Sequence, residues 1–554
     1  MKRARVAAAL AFSLAACRNE DAYLGGSHQA YQCGPFCQVE QGAPGDAGDW
    51  FFNPETELGE APEIVYPFDG AVHPSDLRKL TVQFRRGRED LEVFRLRIEG
   101  ESVAYEFFTR CLSVSEDSCR YLLQGPTWNA ARAALMDHHA SLTVTGSTGL
   151  HGLLKTSKPV ALNVVTSQLS NKGFYYWTTI PNYADDTRLT GIFRLPFGAE
   201  QAEPFIMPNT KTNDRQCGAC HSVSSDGSTI AFTARDDSND PDQRSGTLVA
   251  KLTASPDTPL IMPGPPGTYD SSMMALNSTG KRVLVAYAKQ LVLRSSEMTP
   301  TLNPGDVIAT MTEKELGGKA GYFPEFSPTD DAVVLTLSDQ PDSAIAVQSG
   351  DIAVMSFNLF NNEFGKPEVI VPSDDKWFHF YPTWSPDGRF IAFASAPYEK
   401  DEDGNWRKSY DQKKARLRLV RRTGGTVYEL TNATHELNKW STYPKFAPFK
   451  TGQQDKLMFL TFNSKINYGS ILDNDEKSDD SQRVAQLWMS AIDVDKLPDQ
   501  DPSSPPIWLP FQDATQPGHL GLWTREVQCR TDLGGTGCGF NEECVDKTCV
   551  VIPK

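Results

Sequence analysis

The sequence predicts an all-β protein whose largest part is a six-bladed β-propeller. Glycine and proline occupy 41 and 37 of the 554 positions and are spread along the chain, which favours many turns and short strands. A strand–turn–strand unit recurs every 50 to 62 residues, the spacing of propeller blades built from four short strands. An immunoglobulin- or fibronectin-like β-sandwich is expected before the propeller, and a small cysteine-rich tail is expected after it.

Charge and hydropathy exclude two classes of protein. The formal net charge is −16, and no Lys/Arg cluster follows the first residues, so a nucleic-acid partner is not expected. No internal stretch approaches the roughly 18 apolar residues of a membrane-spanning helix.

The first residues predict a secretory signal. Residues 1–16 combine a basic start, the apolar stretch Val6–Leu14 and small residues, as in a signal peptide. The sequence Leu-Ala-Ala before Cys17 resembles the lipobox of bacterial lipoproteins, which implies that Cys17 is acylated and anchors the chain. By the same resemblance, Arg18 favours the outer membrane, with residues 17–60 as a tether. The alternative is a plain signal peptide with an incidental cysteine.

Export implies an oxidising compartment, so most of the eleven cysteines should be paired. Cys33 and Cys37 are neighbours in a Gly/Pro-rich stretch, and Cys111 and Cys119 flank a polar loop. The last group resembles a small disulfide knot in which three connectivities stay open; it comprises Cys529, Cys538, Cys544 and Cys549.

The remaining pair stands in Cys217-Gly218-Ala219-Cys220-His221. C-x-x-C-H is the attachment signature of c-type haem. The spacing suits the chemistry, because two thiols add to the vinyl groups at one edge of the porphyrin and the adjacent histidine ligates iron. The motif predicts one covalent haem c on Cys217 and Cys220, with His221 as an axial ligand.

Other interpretations of this motif stay open. The two cysteines could form a structural disulfide beside an uninvolved histidine. They could also hold zinc, which needs two more ligands, and no second C-x-x-C or H-x3-H stands nearby. A thioredoxin-type pair expects a βαβ context, and the sequence shows none.

The repeated unit is clearest at residues 384–393, Trp-Ser-Pro-Asp-Gly-Arg-Phe-Ile-Ala-Phe. It predicts a strand end, a tight turn and a new alternating strand. We call the residue before the turn the anchor of its repeat; the anchors are Val223, Leu276, Phe326, Trp384 and Phe446, with a sixth at Trp523. The strands that complete the sixth repeat are expected around residues 174–179 and 191–196, so that both chain ends pair and close the ring.

These units resemble the blades of TolB-like β-propellers, which carry W-S-P-D-G-x-x-I-A-F. The resemblance covers residues 172–527 and is most specific at Trp384–Phe393. It implies that the segment before each anchor leads into an innermost strand near one mouth of the central channel. Ordinary members of the family carry no haem motif, so the motif is a departure from it.

Alignment of the repeats suggests where the haem lies. Two positions before the anchors stand His221, Met274 and three prolines. The resemblance therefore implies that iron lies at the channel mouth, where another blade could supply a second axial ligand. His519 is the first candidate, because imidazole binds both ferric and ferrous iron well, and Met274 is the second. An open sixth position would instead bind a small gas or peroxide.

Residues 61–167 show a different pattern. Short alternating strands at spacings of 10–20 residues predict the sandwich. Alanines within Trp128–His139 favour a short helix, and His138 and His139 are expected to be surface residues at its end.

Signatures of common enzymes are missing, including G-x-S-x-G, the P-loop and H-E-x-x-H. The sequence-based hypothesis is an outer-membrane-anchored lipoprotein of the bacterial envelope that uses one haem c for electron transfer or redox sensing. Its partner would be an envelope redox or scaffold protein. The alternatives are a non-enzymatic protein-binding scaffold, in which the haem is structural or absent, and a peroxidase-like enzyme with an open iron site.

Overall fold

The structure is a computed structural model of the chain, and its regular secondary structure is mostly β-strand. It describes residues 34–40, 42–53, 60–115, 117–167, 169, 173–182, 187–195, 201–207, 217–235, 246–252, 260–261, 273–287, 289–297, 299–343, 346–451, 456–475, 483–524, 542–545 and 548–551. The predicted signal peptide and Cys17, Cys33, Cys529 and Cys538 lie outside the described residues.

Two sheets form before residue 166. Their strands are β1 (Cys37–Val39), β2 (Glu63–Tyr66), β3 (Ala71–Pro74), β4 (Leu80–Arg85), β5 (Val93–Glu99), β6 (Ala104–Arg110), β7 (Leu112–Ser113), β8 (Ser118–Leu123), β9 (His138–Ser147), β10 (Leu154–Thr156) and β11 (Val160–Val165). One sheet has the order β1-β6-β5-β9-β11-β3, with β10 on β9, and the other has the order β2-β4-β8-β7.

The two sheets share one apolar core. In β5, Phe94, Leu96 and Ile98 are buried while the residues between them are partly exposed, as strand alternation requires. Phe94 contacts Phe84 of the other sheet, with ring centroids 4.9 Å apart. Side chains of both sheets therefore exclude water from the space between them.

The predicted disulfide between Cys111 and Cys119 is confirmed, and it links the start of β7 to β8. Cys37 is also disulfide-bonded. The predicted helix is present as α1 (Gly125–Ala134). It ends earlier than the alanine pattern suggests, and His138 and His139 are exposed at the start of β9.

Residues 174–523 form a series of further sheets. The strands are β12 (Phe174–Asn182), β13 (Thr187–Leu195), β14 (Glu203–Ile206), β15 (Cys217–Val223), β16 (Thr229–Arg235), β17 (Gly246–Lys251), β18 (Leu260–Ile261), β19 (Met274–Leu276), β20 (Arg282–Tyr287), β21 (Gln290–Ser295), β22 (Val307–Met311), β23 (Ala320–Phe326), β24 (Ala332–Ser338), β25 (Pro341–Ser343), β26 (Ala346–Val347), β27 (Asp351–Asn358), β28 (Glu363–Phe364), β29 (Glu368–Val371), β30 (Trp377–Trp384), β31 (Phe390–Pro397), β32 (Arg416–Arg421), β33 (Tyr428–Glu429), β34 (Thr442–Thr451), β35 (Leu457–Ser464), β36 (Gln486–Ile492), β37 (Ile507–Trp508) and β38 (Gly518–Trp523).

These strands pair mainly with their neighbours in the chain. Four sheets have the orders β19-β20-β21-β22, β23-β24-β27-β28 with β29 on β27, β30-β31-β32-β33 and β34-β35-β36-β37. A larger sheet has the order β18-β17-β16-β15-β13-β12-β38, with β14 on β13. In that sheet β38 pairs with β12, so that Trp523 lies opposite Phe174 and the two ends of this region are joined.

Three of the repeated turns are fixed by a serine that bonds to its own strand. The Ser385 hydroxyl accepts a hydrogen bond from the Phe390 N–H at 2.9 Å and donates one to Asp387 at 2.7 Å. Gly388 has φ +67°, which a residue with a Cβ rarely adopts. Ser224 accepts from Thr229 N at 3.0 Å, and Ser327 accepts from Ala332 N at 3.1 Å.

The N-terminal sheets pack against the sheet that contains β36 and β37. The rings of Tyr66 and Tyr468 are 4.9 Å apart, and the Tyr66 hydroxyl accepts from Trp508 N at 3.0 Å. The Gln83 side chain accepts from Ile471 N at 3.0 Å. Apolar and polar contacts thus join the two parts.

Helical segments are few among the described residues. Besides α1 there is α2 (Thr431–Thr434), and 3-10 turns span Ala47–Phe51, Ser409–Asp411 and Val494–Lys496. Within the described part of the chain, we find no helix with the length and apolar composition needed to cross a membrane. A last hairpin of β39 (Glu542–Val545) and β40 (Thr548–Val551) places the backbones of Cys544 and Cys549 opposite each other.

Candidate functional site

The six strands that carry the anchors, which we call the anchor strands, are β15, β19, β23, β30, β34 and β38. All of them except β19 share an unusual feature. In β15, Ala219 pairs with Thr233 and Ser222 pairs with Ala231, so that Cys220 and His221 together face one residue of β16. This is a β-bulge, which leaves an extra residue unpaired and changes the direction of side chains. The same register shift occurs in β23, β30, β34 and β38.

The first residue of every bulge has a left-handed backbone. The φ angles are +47° at Cys220, +51° at Phe323, +54° at Tyr381, +50° at Tyr443 and +52° at Leu520. This conformation costs a residue with a Cβ roughly 1–3 kcal/mol. Because the left-handed residue recurs in five strands, it is a property of the repeat and not of the C-x-x-C-H motif alone.

The second residue of the bulge distinguishes β15 from its sister strands. Three sisters carry proline there, at Pro324, Pro382 and Pro444, and β38 carries Gly521. Proline lacks an N–H and suits a bulge, where a ladder bond is not needed. The fold therefore has no requirement for a polar side chain at this position, yet β15 has His221.

His221 lies buried in the anchor strand β15. Its exposed fraction is 3%, and neither ring nitrogen has a hydrogen-bond partner among the described residues. Burial lowers the pKa of His221 to about 4. A polar contact of the ring with the Tyr175 backbone acts in the opposite direction, and the charge of Lys445 lowers the pKa further. At neutral pH the imidazole is uncharged, which is the form that binds metals.

The first bulge residues meet in one buried cluster. Cys220 packs against a group formed by Met273, Phe323, Tyr381, Tyr443 and Leu520, among others. The rings of Tyr381 and Tyr443 stack with centroids 4.0 Å apart, and Phe323 meets Tyr381 edge-on at 4.4 Å. Burial raises the pKa of both Tyr381 and Tyr443 well above the usual value of a tyrosine. The cluster forms an apolar layer beside the haem motif.

A cavity of about 110 Å³ lies next to this layer. All six anchor strands contribute to its lining, which includes His221, Met274, Phe326, Trp384, Phe446 and Trp523. The cavity is several times the ~10–15 Å³ that one water needs. It is smaller than a typical ligand pocket of ~300–1,000 Å³, so the described residues would enclose only part of a haem-sized group.

One ion pair crosses the cavity wall. Lys445 binds Glu325, which also accepts hydrogen bonds from the Thr383 hydroxyl at 2.8 Å and from Trp384 N at 2.9 Å. Both charged side chains are about one-fifth exposed, at 18% and 23%. The network joins β23, β30 and β34 and places the Lys445 charge near His221.

The structure brings together some of the predicted site residues. His221 and Met274 line the same cavity, and Cys220 lies in the adjoining cluster. His519 does not appear among the described residues that line the cavity. Of Cys217 only the backbone is described; it begins β15 opposite Arg235. Among the described residues, we find no cluster of three or more His, Cys, Asp or Glu side chains arranged as a metal site.

Two features of this site are not predicted from the sequence. They are the buried cluster of bulge residues with left-handed backbones and the Glu325–Lys445 ion pair. A signal for the first was present, because an aromatic–proline dipeptide stands before three anchors, at residues 323–324, 381–382 and 443–444. The ion pair joins residues 120 positions apart, and no local pattern indicates it.

Comparison with known proteins identifies no family. Neither a known protein family nor a curated protein sequence matches the chain. Solved structures with partial similarity include a candidate 6-phosphogluconolactonase from Bacteroides uniformis (12% identity, 60% of this chain and 81% of that one, TM-score 0.34). Others are a puromycin hydrolase (8%, 67% and 51%, TM-score 0.34) and the Kuenenia stuttgartiensis hydrazine synthase (11%, 49% and 62%, TM-score 0.25). These scores are low, and no conclusion about activity rests on them.

Proposed function

We propose that the chain is a propeller lipoprotein of the bacterial envelope that binds one haem c and serves electron transfer or redox sensing. The observation that carries the proposal is the replacement of the bulge proline by His221. Burying two nitrogens without partners costs about 1–3 kcal/mol. A histidine that the fold does not need, and whose burial without hydrogen bonds is destabilising, fits a residue kept for a ligand.

The six-bladed architecture is part of the proposal. The sheets that contain β19, β23, β30 and β34 would each form one blade. The larger sheet would divide into a fifth blade, β15–β18, and a sixth blade, in which β38 joins β12–β14. The contribution of all six anchor strands to one cavity supports a ring in which these strands are innermost. The N-terminal sheets would form the immunoglobulin-like sandwich.

The donors around the cavity suit a haem iron. His221 is neutral at pH 7 and directly follows Cys220 in the chain, and Cys220 together with Cys217 would form the two thioether bonds. When bound, the haem would supply a one-electron ferric/ferrous couple. The aromatic cluster would exclude water from one side, and Lys445 with Glu325 would hold fixed charges nearby. Burial and such charges tune a reduction potential.

The envelope location rests on the lipobox resemblance at Cys17. The proposed partner is an envelope redox or scaffold protein, and the acyl chains of Cys17 would hold the propeller at the outer membrane. Conversion of Cys17 to Ser should release the chain from the membrane fraction.

Expression in a host with a c-type haem maturation system tests the haem. The purified chain should show a c-type absorption spectrum that survives denaturation, with a mass increase of one haem. Cys217→Ser with Cys220→Ser should abolish both, whereas Cys111→Ser with Cys119→Ser should leave them unchanged. A colourless wild type with a Cys217–Cys220 disulfide would overturn the proposal and favour the scaffold alternative.

A further inference from the structure

We propose that the hairpin tip Leu359–Phe360, which we call the tip, inserts into the headgroup region of a lipid bilayer and gives the chain a second membrane contact. Phe360 is 97% exposed, the highest value for a large apolar side chain in the described part of the chain, and Leu359 is 42% exposed. Single exposed apolar side chains are normal on a protein surface, but two neighbours at the end of a hairpin can enter an apolar phase together. The choice of a bilayer rests on the acylation of Cys17 in the proposed function.

The turn beneath the tip is formed by the residues on either side of it. The tip joins β27 to β28, where Phe357 pairs with Phe364 and the two ring centroids are 4.8 Å apart. The Asn358 side chain accepts a hydrogen bond from the Phe360 N–H at 2.9 Å. The backbone of the turn is therefore held without the Phe360 ring, whose exposure is not a by-product of a hydrogen bond that the ring makes.

The tip lies at the same end of the strands as the repeated turns. Strand β24 begins at Ala332, directly after such a turn, and β27 runs antiparallel to it with Ser356 opposite Ala332. The end of β27 therefore lies beside the turn. In the neighbouring repeat, Arg282 Nε donates a hydrogen bond to the Asn362 side chain at 3.0 Å. A surface that covers the tip would thus lie against the face that carries the turns.

The charges around the tip balance. The tip itself is uncharged. Lys281 and Arg282 lie near it, and Glu297 forms ion pairs with both, at 3.6 Å and 3.8 Å. Glu363 and Lys366 follow the tip in the chain, and both are exposed. The tip can therefore leave water without carrying a charge with it. Apolar burial, and not attraction to anionic lipid, should drive the contact, so it should depend little on salt.

A bilayer suits the tip better than a protein partner does. Gly34, the first described residue, stands 17 residues after Cys17, and an extended chain of that length spans at most about 60 Å. An acylated Cys17 would keep the propeller close to lipid, where even a weak second contact is effective. Two side chains bury far less than the roughly 800 Å² per partner of a stable protein interface.

The test uses the full-length chain with Cys17→Ser, which removes the acyl chains, and vesicles of phosphatidylethanolamine and phosphatidylglycerol. Flotation measures the partition coefficient of this parent and of the same chain with Phe360→Ser, Leu359→Ser or Leu437→Ser. Leu437 is the matched control, because it is 57% exposed and lies before the start of β34, at the opposite end of the anchor strands. Melting temperatures of the variants should equal that of the parent, because exposed side chains contribute little to stability.

We expect Phe360→Ser to lower the partition coefficient about tenfold, since burial of an aromatic side chain contributes about that factor or more. Leu359→Ser should have a smaller effect in the same direction, and Leu437→Ser should have none. Phe360→Trp should still bind, and brominated lipids should quench its fluorescence more strongly than that of the parent.

Equal partitioning of Phe360→Ser and the parent would overturn the inference, as would equal quenching of Phe360→Trp and the parent. So would a parent that does not bind vesicles, including one whose residue 360 crosslinks to an envelope protein instead. A wild type whose mass lacks acyl chains would refute the proposed lipoprotein. That outcome is separate, because the vesicle experiment uses a chain without acyl groups.

Discussion

Replacing His221 by proline tests whether this histidine is kept for a ligand or for the fold. Three sister strands already hold proline here after a residue with φ between +50° and +54°, and Cys220 offers φ +47°. The variant removes two buried nitrogens without partners, which cost about 1–3 kcal/mol. Proline also restricts the conformations of the unfolded chain, and this adds roughly 0.4–1 kcal/mol to the free energy of unfolding. Lost packing of the ring offsets part of this, so the haem-free chain should gain about 1–3 kcal/mol.

The gain should depend on pH. Burial lowers the pKa of His221 to about 4, whereas an unfolded histidine titrates near 6.5. Between these values the unfolded state binds more protons, so the stability of the wild type falls as the pH falls through this window. The full difference between the two pKa values corresponds to about 3 kcal/mol in the free energy of unfolding. His221→Pro removes this group, and its advantage should grow from pH 7 to pH 4.5.

Guanidinium unfolding of colourless preparations, followed by tryptophan fluorescence at pH 7.5 and pH 5, measures both effects. Pro324→His is the reciprocal control, since it adds a buried histidine to a sister strand and should destabilise the chain at both pH values. In a host that attaches haem c, His221→Pro should yield no six-coordinate low-spin haem. A marked destabilisation of the haem-free variant at pH 7.5, or an advantage that does not grow at pH 5, would show that His221 serves the fold.

Three further predictions concern the rest of the chain. Urea unfolding midpoints of the wild type should fall as the pH is lowered from 6.5 to 4, because burial lowers the pKa of four histidines to about 4: His73, His221, His379 and His519. A flat profile would contradict this. Glu325→Gln should destabilise the chain by about 2 kcal/mol, because Lys445 loses its charged partner, whereas the exposed control Glu368→Gln should have no measurable effect in the same titration. Cys111→Ser with Cys119→Ser should cost about 2–3 kcal/mol by opening a short loop, and an unchanged melting curve would refute this.

The repeat could be predicted from the sequence because turn chemistry is local. The Ser-Pro-Asp-Gly pattern specifies a turn by itself, and β23 and β30 end at the predicted anchors Phe326 and Trp384. Pairing of the two ends of the region, with Trp523 opposite Phe174, also follows from the need to complete a last repeat. The turns depend on a few neighbouring residues, whereas the pairing of the two ends depends on the number of repeats.

The position of His519 could not be predicted in the same way. Side chains alternate between the two faces of a regular strand, so counting from the anchor predicts the face on which each side chain lies. A bulge adds one residue to the strand, and this reverses the predicted face of every residue before it. His519 lies before the bulge of β38, and Met274 is level with the bulge residues of the sister strands. The repeated aromatic–proline pair was the available sign of a bulge, and counting alone does not show it.

The candidate site is therefore defined by a departure from the repeat. Each bulge puts one left-handed residue into the apolar cluster, and in β15 and β23 the second residue also lines the cavity. The sister strands of β15 have proline or glycine at this second position. At this second position β15 has the only titratable side chain among the five described bulges, with a cysteine immediately before it. The imidazole of His221 makes no hydrogen bond with the described residues and has no counterpart in the sister strands. The proposed haem, which would use this imidazole and the sulfurs of both cysteines, would account for its presence.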